Sequence, residues 1–185
     1  MPSRIILDSK QTHLTLTRLA HQLIENHKDF SKSVLIGVQP RGVKLAQKIH
    51  DILQQQFPQI HFPFGKLDIT FYRDDFRSKG SAVSASETDI PFSLEGKRIV
   101  LVDDVLYTGR TIRAALDAML DFGRPEDVEL LVLIDRRLHR ELPIQAKYAG
   151  KVVDSIESEK VKVEWTDRGE VEKVWIVQET ENQKQ

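Results

Sequence analysis

The chain has 185 residues. Domains run to roughly 100–200 residues, so one domain with a full hydrophobic core is expected. With 0 Cys it has no disulfide framework, zinc–thiolate site or cysteine nucleophile, and 40% hydrophobic against 30% charged residues is a globular balance. Its 27 basic and 28 acidic residues give a formal net charge of -1, which argues against an overall basic coat for nucleic acid and leaves only a local patch open.

The first eight residues carry no long apolar stretch after Arg4, so no signal peptide is read. The longest apolar runs, such as 130–134, fall far short of the ~20 residues needed to cross a bilayer. A cytoplasmic protein is the expectation. Leu16, Leu19, Ala20, Leu23 and Ile24 recur at helical spacing and predict a helix over about 9–27, capped by Asp8 or Ser9. A short apolar strand, 34–38, runs into Gln39-Pro40-Arg41-Gly42. A second helix follows on Val43, Leu45, Ala46, Ile49, Ile52 and Leu53. Residues 67–72 read as a strand. Residues 73–89 are polar, with no core-forming period, and a loop of that length in a compact domain usually has a function.

Residues 99–102 are a continuous apolar strand, the pattern of a strand covered on both faces in a parallel sheet. A helix over 111–120, closed by Gly123 and Pro125, leads to a strand over 128–134 that is apolar except for Glu129. Shorter strands are expected at 161–165 and 174–177. Residues 1–178 are expected to form one domain and 179–185 a polar tail. The alternation is that of an α/β fold with a mostly parallel sheet, whose ligands sit beyond the carboxyl ends of the strands.

One stretch at such an end carries the chemistry: Val102-Asp103-Asp104-Val105-Leu106-Tyr107-Thr108-Gly109-Arg110-Thr111. Backbone N–H groups, two threonine hydroxyls and a helix N-terminus together suit a phosphate monoester, and Gly109 allows close approach. The GxxxxGK[ST] and GxGxxG patterns are absent. Adjacent acids on an extended backbone point to opposite sides, so Asp103 and Asp104 are not read as a dyad sharing one proton. One could accept from two sugar hydroxyls while the other holds backbone or a metal-bound water. An isolated acidic pair before a helix merely caps it. The phosphate-type loop directly after this pair favours a site. A receiver-type signalling domain lacks support, because its further strand-end Asp and Lys are missing.

This stretch resembles the phosphoribosyl-diphosphate (PRPP) motif of type I phosphoribosyltransferases. Together with 17–21, 68–75, 123–125 and 139–143, the chain is similar over nearly its whole length to the bacterial pyr operon attenuation regulators of that family. The resemblance implies a central, mostly parallel sheet flanked by helices, with a small hood over the base site. It implies a uracil phosphoribosyltransferase making UMP and diphosphate from uracil and PRPP, and UMP-responsive binding of a pyrimidine-operon leader RNA. An attenuator with little catalysis, and a transferase for another base, stay open as alternatives.

Carried over by position, Asp103 and Asp104 would hold the ribose hydroxyls, and Val105, Leu106, Tyr107, Thr108, Gly109, Arg110 and Thr111 would wrap the 5′-phosphate. Pro40, Arg41 and Gly42 would form the diphosphate loop, with a cis Gln39–Pro40 peptide in the diphosphate-bound state. Tyr72 and Arg73 would open the loop that closes over PRPP, Arg73 being catalytic alongside the two acids. The base would be held by the segment 153–161, with Lys160 and Val161, largely through backbone groups. Thr17, Arg18, His21 and Arg140 match RNA-binding positions. Mg²⁺ would arrive with PRPP or diphosphate and need no metal cage of protein side chains. A homodimer or homotetramer is implied. The resemblance implies an acidic–basic pair near metal and diphosphate at Asp135, Arg136 and Arg137, but the turn 137–139 is one residue longer than the family's glycine-containing turn, which leaves the roles of Arg136 and Arg137 open.

Overall fold

In a computed structural model of the chain, residues 4–74, 86–156, 158–166 and 171–178 are described. The middle of the polar loop, Glu157 and the 179–185 tail lie outside them.

Strand β1 (Arg4–Asp8) leads into helix α1 (Ser9–His27) through a reciprocal cap. The Asp8 carboxylate accepts from Gln11 N–H at 2.7 Å, and the Gln11 side chain accepts from Asp8 N–H at 3.1 Å. Strand β2 (Ser33–Val38), helix α2 (Arg41–Gln56) and strand β3 (Phe64–Leu67) follow. Next come β4 (Arg98–Leu106), α3 (Arg110–Met119), β5 (Asp127–Arg136) and β6 (Tyr148–Val153). Strands β7 (Glu159–Trp165) and β8 (Val171–Gln178) complete the chain.

Five strands pair in parallel in the order β3-β2-β4-β5-β6. In β4 the continuous apolar run is buried on both faces. Val100 and Val102 join the core with α1 and α2, while Ile99 and Leu101 join the core with α3. A second, antiparallel sheet β1-β8-β7 forms the hood. Its Ile6, Leu7, Val161, Val163, Val174 and Ile176 are buried in the α1/α2 core.

The architecture is the expected one, with local corrections. The strand read at 67–72 ends at Leu67. The Asp68 carboxylate accepts from the Thr70 N–H at 3.0 Å and from the Thr70 hydroxyl at 2.7 Å, turning the chain into a 3₁₀ turn at Thr70–Tyr72. Phe71, a strand-favouring residue by type, is 67% exposed. Strands β1 and β6 were not expected, and β4 runs four residues past the apolar stretch, through both acids.

Because all five strands are parallel, their carboxyl ends share one edge of the sheet. Gly42 lets α2 press against that edge: a Cβ there would lie 2.3 Å from the Val102 carbonyl oxygen.

Candidate active site

A cavity of about 600 Å³ opens at the carboxyl end of β4. Asp103, Arg73, Asp74 and the continuous run Val105 to Ile112 line it. The loop between β4 and α3 turns at Gly109, whose φ of 95° is open to glycine and strained for other residues. The N-cap Gly109 has no side chain to cap α3, and beyond a long 3.4 Å bond from Arg110 N–H to the Thr108 hydroxyl the first turn keeps N–H groups that can meet an anion in the cavity.

The loop is braced from behind by the segment after β5. Glu141 N–H and Leu142 N–H both donate to the Thr108 carbonyl, at 3.0 and 3.2 Å. Arg140 donates to the Tyr107 carbonyl and to the Asp135 carboxylate. In front, Asp74 and Glu141 each accept from Arg110 at 2.6 Å. The root of the polar loop is thereby fixed beside the phosphate-type turn.

Both acids are buried. Burial is the main force pushing the Asp103 carboxyl well above the ordinary carboxylate range, and the charge of Asp104 adds to it. The guanidinium groups of Arg41 and Arg73 oppose that shift. Asp104 is likewise pushed up by burial, against the pull of Arg41. Asp103 Oδ1 accepts from Asp104 N–H at 2.9 Å. Asp104 Oδ2 lies 3.9 Å from Arg41 and has no hydrogen-bond partner among the described residues. Only Asp103 lines the cavity. The opposite orientation expected of adjacent strand residues places Asp104 toward the Pro40–Arg41–Gly42 turn, where the Gln39–Pro40 peptide is cis.

Such a strand end offers ionisable acceptors for a diol, amide donors for a phosphate, and two arginines for further anionic charge. Comparison with known proteins gives this chemistry a family. Residues 3–168 match the phosphoribosyl transferase domain. The bifunctional protein pyrR of Enterococcus faecalis is 44% identical over 176 residues, covering 95% of this chain and 97% of its own. That of Deinococcus radiodurans is 48% identical over 162 residues, covering 88% and 87%. The chain belongs to the PyrR family of phosphoribosyltransferases.

Solved structures agree on the fold. The hypoxanthine phosphoribosyltransferase of Trypanosoma cruzi superposes with a TM-score of 0.68 over 96% of this chain and 97% of its own, at 16% identity. That of Staphylococcus aureus gives 0.64 over 82% and 78%, at 20% identity.

Within this phosphoribosyltransferase, Arg73, Asp103 and Val105 to Thr111 come together around one cavity, with Asp104, Pro40, Arg41 and Gly42 adjoining it. Tyr72 does not join them: its hydroxyl donates to Asp121, beyond the end of α3. Val161 on β7 turns its side chain into the core, so only its backbone can meet a ligand, while Lys160 beside it is exposed. Arg140, expected on an RNA surface, has its guanidinium committed behind the phosphate loop. Thr17, Arg18 and His21 do share the outer side of α1. Arg18 also donates to the carbonyls of Gly150 at 2.6 Å and Ala149 at 3.3 Å, tying the helix to β6. The bracing roles of Glu141 and Leu142 had no signal in the sequence, because they act through backbone amides on a carbonyl, that of Thr108, far away along the chain.

Proposed function

We propose that the protein is a cytoplasmic uracil phosphoribosyltransferase that also binds pyrimidine-operon leader RNA. The observation that carries the enzymatic reading is Asp103 at the strand end sharing one cavity with the loop that opens helix α3, with Asp104 beside it facing Arg41. In the reaction the bond from ribose C1′ to the diphosphate oxygen breaks, the bond from C1′ to uracil N1 forms, and the N1 proton is released. Asp103 and Asp104 accept from the ribose hydroxyls and favour positive charge developing at the ring. The amides and hydroxyls of 108–111 hold the 5′-phosphate. Arg41 and Arg73 stabilise the departing diphosphate. The work is positioning and electrostatics, with no covalent nucleophile.

The residues suit Mg²⁺ that arrives with PRPP. Among the described residues no three His, Asp or Glu side chains cluster as a metal cage, while Asp104 Oδ2 is a buried acceptor still lacking a partner. Such an ion keeps several waters and neutralises diphosphate charge when bound. Asp103 and Asp104 would face its hydration shell, and the incoming positive charge would return them to the ionised form.

The relatives' description as bifunctional supports the RNA role, with Thr17, Arg18 and His21 as its contacts, in a homodimer or homotetramer. Incubation with PRPP, Mg²⁺ and single bases tests the catalytic reading: UMP from uracil supports it, and turnover with hypoxanthine or guanine alone overturns the base assignment. A salt titration of leader-RNA binding tests the other. Affinity should fall linearly on logarithmic axes, with a slope of about -0.7 per phosphate contact, and tighten with UMP. No binding at low salt removes the RNA role.

A further inference from the structure

The chain's two adjacent arginines at the end of β5 have opposite surroundings. Arg137 is exposed and pairs with the Asp154 carboxylate at 2.8 and 3.0 Å, a solvent-screened contact of little energetic weight. Arg136 is 4% exposed, an exceptional burial for an arginine. Its Nε donates to the Ser155 hydroxyl at 2.8 Å. A terminal nitrogen donates to the Glu159 carbonyl at 2.7 Å and to the Ile156 carbonyl at 3.3 Å. The guanidinium carbon lies 3.8 Å from the centre of the Tyr107 ring. Tyr107 in turn belongs to the phosphate loop, and His139 meets its ring edge-on at 6.3 Å.

One side chain thus holds both halves of the site. The strand end anchors it, its guanidinium lies over the Tyr107 ring of the phosphate loop, and its N–H groups are bonded to Ser155, Ile156 and Glu159, within the segment 153–161 read as the base site. A guanidinium presents a flat face and a fixed fork of N–H donors on separate nitrogens at once; a lysine ammonium has its donors on one nitrogen and no planar face, so it cannot serve all these partners together. A nucleoside monophosphate spans the same two segments, and transfer requires the base nitrogen and C1′ to be aligned to a fraction of an ångström.

We infer that Arg136 is a positioning residue that couples the phosphate loop, through Tyr107, to the base-binding segment 155–159. Both halves of a nucleoside monophosphate are then held in one register. The inference rests on the reading of these segments as phosphate and base sites.

The test uses the full chain and the dissociation constants of ribose 5-phosphate, UMP, IMP and GMP. It compares the unaltered protein with Arg136→Lys, Tyr107→Leu, their double variant and Arg137→Ala. The nucleotide held most tightly by the unaltered protein should bind about tenfold more weakly to Arg136→Lys, with ribose 5-phosphate changed less than about twofold. Tyr107→Leu should show the same signature. The double variant should lose little more than either alone, and Arg137→Ala should bind normally. A purely structural role would lower the melting temperature without changing the ratio of nucleotide to ribose 5-phosphate affinity. Equal losses of both ligands, no loss, additive losses, or the same loss in Arg137→Ala would each overturn the coupling. Preference of the unaltered protein for IMP or GMP contradicts the uracil reading alone, and the coupling is then measured on that nucleotide. Failure to bind any of the three contradicts both.

Discussion

The two ends of the central sheet bury carboxylates in opposite ways. At the amino end, Glu129 accepts from the Tyr148 hydroxyl and Lys147 at 2.6 Å each and from Arg98 at 2.9 Å, and meets His27 Nε2 at 3.0 Å. His27 Nδ1 meets the Ser33 hydroxyl at 2.8 Å. Burial by itself would raise the Glu129 pKa, but the bonds from Lys147 and Tyr148 and the charges of His27 and Lys147 outweigh it and hold the carboxyl at about 2. At the carboxyl end, burial wins over Arg41 and Arg73, and Asp103 and Asp104 are pushed up. One network is complete within the protein. The other leaves an acceptor for something that binds, a pattern typical of sites rather than of cores.

The contrast predicts a separation of activity from stability. The largest effect should come from Asp103→Asn or Asp104→Asn, lowering kcat/KM for UMP formation by about 10²–10³-fold. The fold should survive. A carboxyl whose folded pKa is raised loses stability as pH rises through that range, because the unfolded chain releases the proton more readily. Asp103→Asn should therefore melt at or above the unaltered protein at pH 8, and gain less at pH 5. Unfolding of this variant would mean that the acid pair is structural. Next in size, Glu129→Ala should destabilise by about 2–3 kcal/mol in denaturant titration, by leaving the buried Tyr148 hydroxyl and His27 ring without their acceptor. Its kcat/KM at temperatures where it stays folded should be unchanged.

A smaller effect concerns pH. Burial lowers the His27 pKa against the pull of Glu129, so protonation favours the unfolded chain. Stability from this group is present above 6.5 and lost as pH falls toward the folded value, at no more than about 1.4 kcal/mol per pH unit. The advantage of the unaltered protein over His27→Gln should shrink below pH 6.5 in melting curves. The further loss from Glu129 should begin only below its ordinary value of 4.5. Smallest, Arg18→Ala should shift stability by less than about 1 kcal/mol and leave kcat/KM unchanged. Its salt slope for RNA should flatten by about 0.7.

Much of the site was readable because it is contiguous: nine residues from Asp103 to Thr111 carry the strand end, the turn and the helix start. Helix α1 was equally plain, since its apolar spacing and cap agree. What escaped was non-local. The run 67–72 is rich in strand-favouring residues, yet the Asp68 turn overrides that preference. The edge strands β1 and β6 are short, and a third of β6 is exposed. Glu129 stood out as the one acid in an apolar strand, but its partners His27, Lys147 and Tyr148 come from distant segments. Arg136 reads as a surface residue by type, and only the fold shows it between two loops.

The account depends most on the acid pair serving catalysis rather than capping α3. The direct measurement is UMP formation from uracil, PRPP and Mg²⁺ by the unaltered protein and by Asp104→Asn, with melting temperatures recorded on the same samples. Robust turnover in the first, and a loss of about 10²-fold or more in the second at a melting temperature no lower than that of the unaltered protein, is the expected result. Full activity in Asp104→Asn, or inactivity explained by its unfolding, would contradict it.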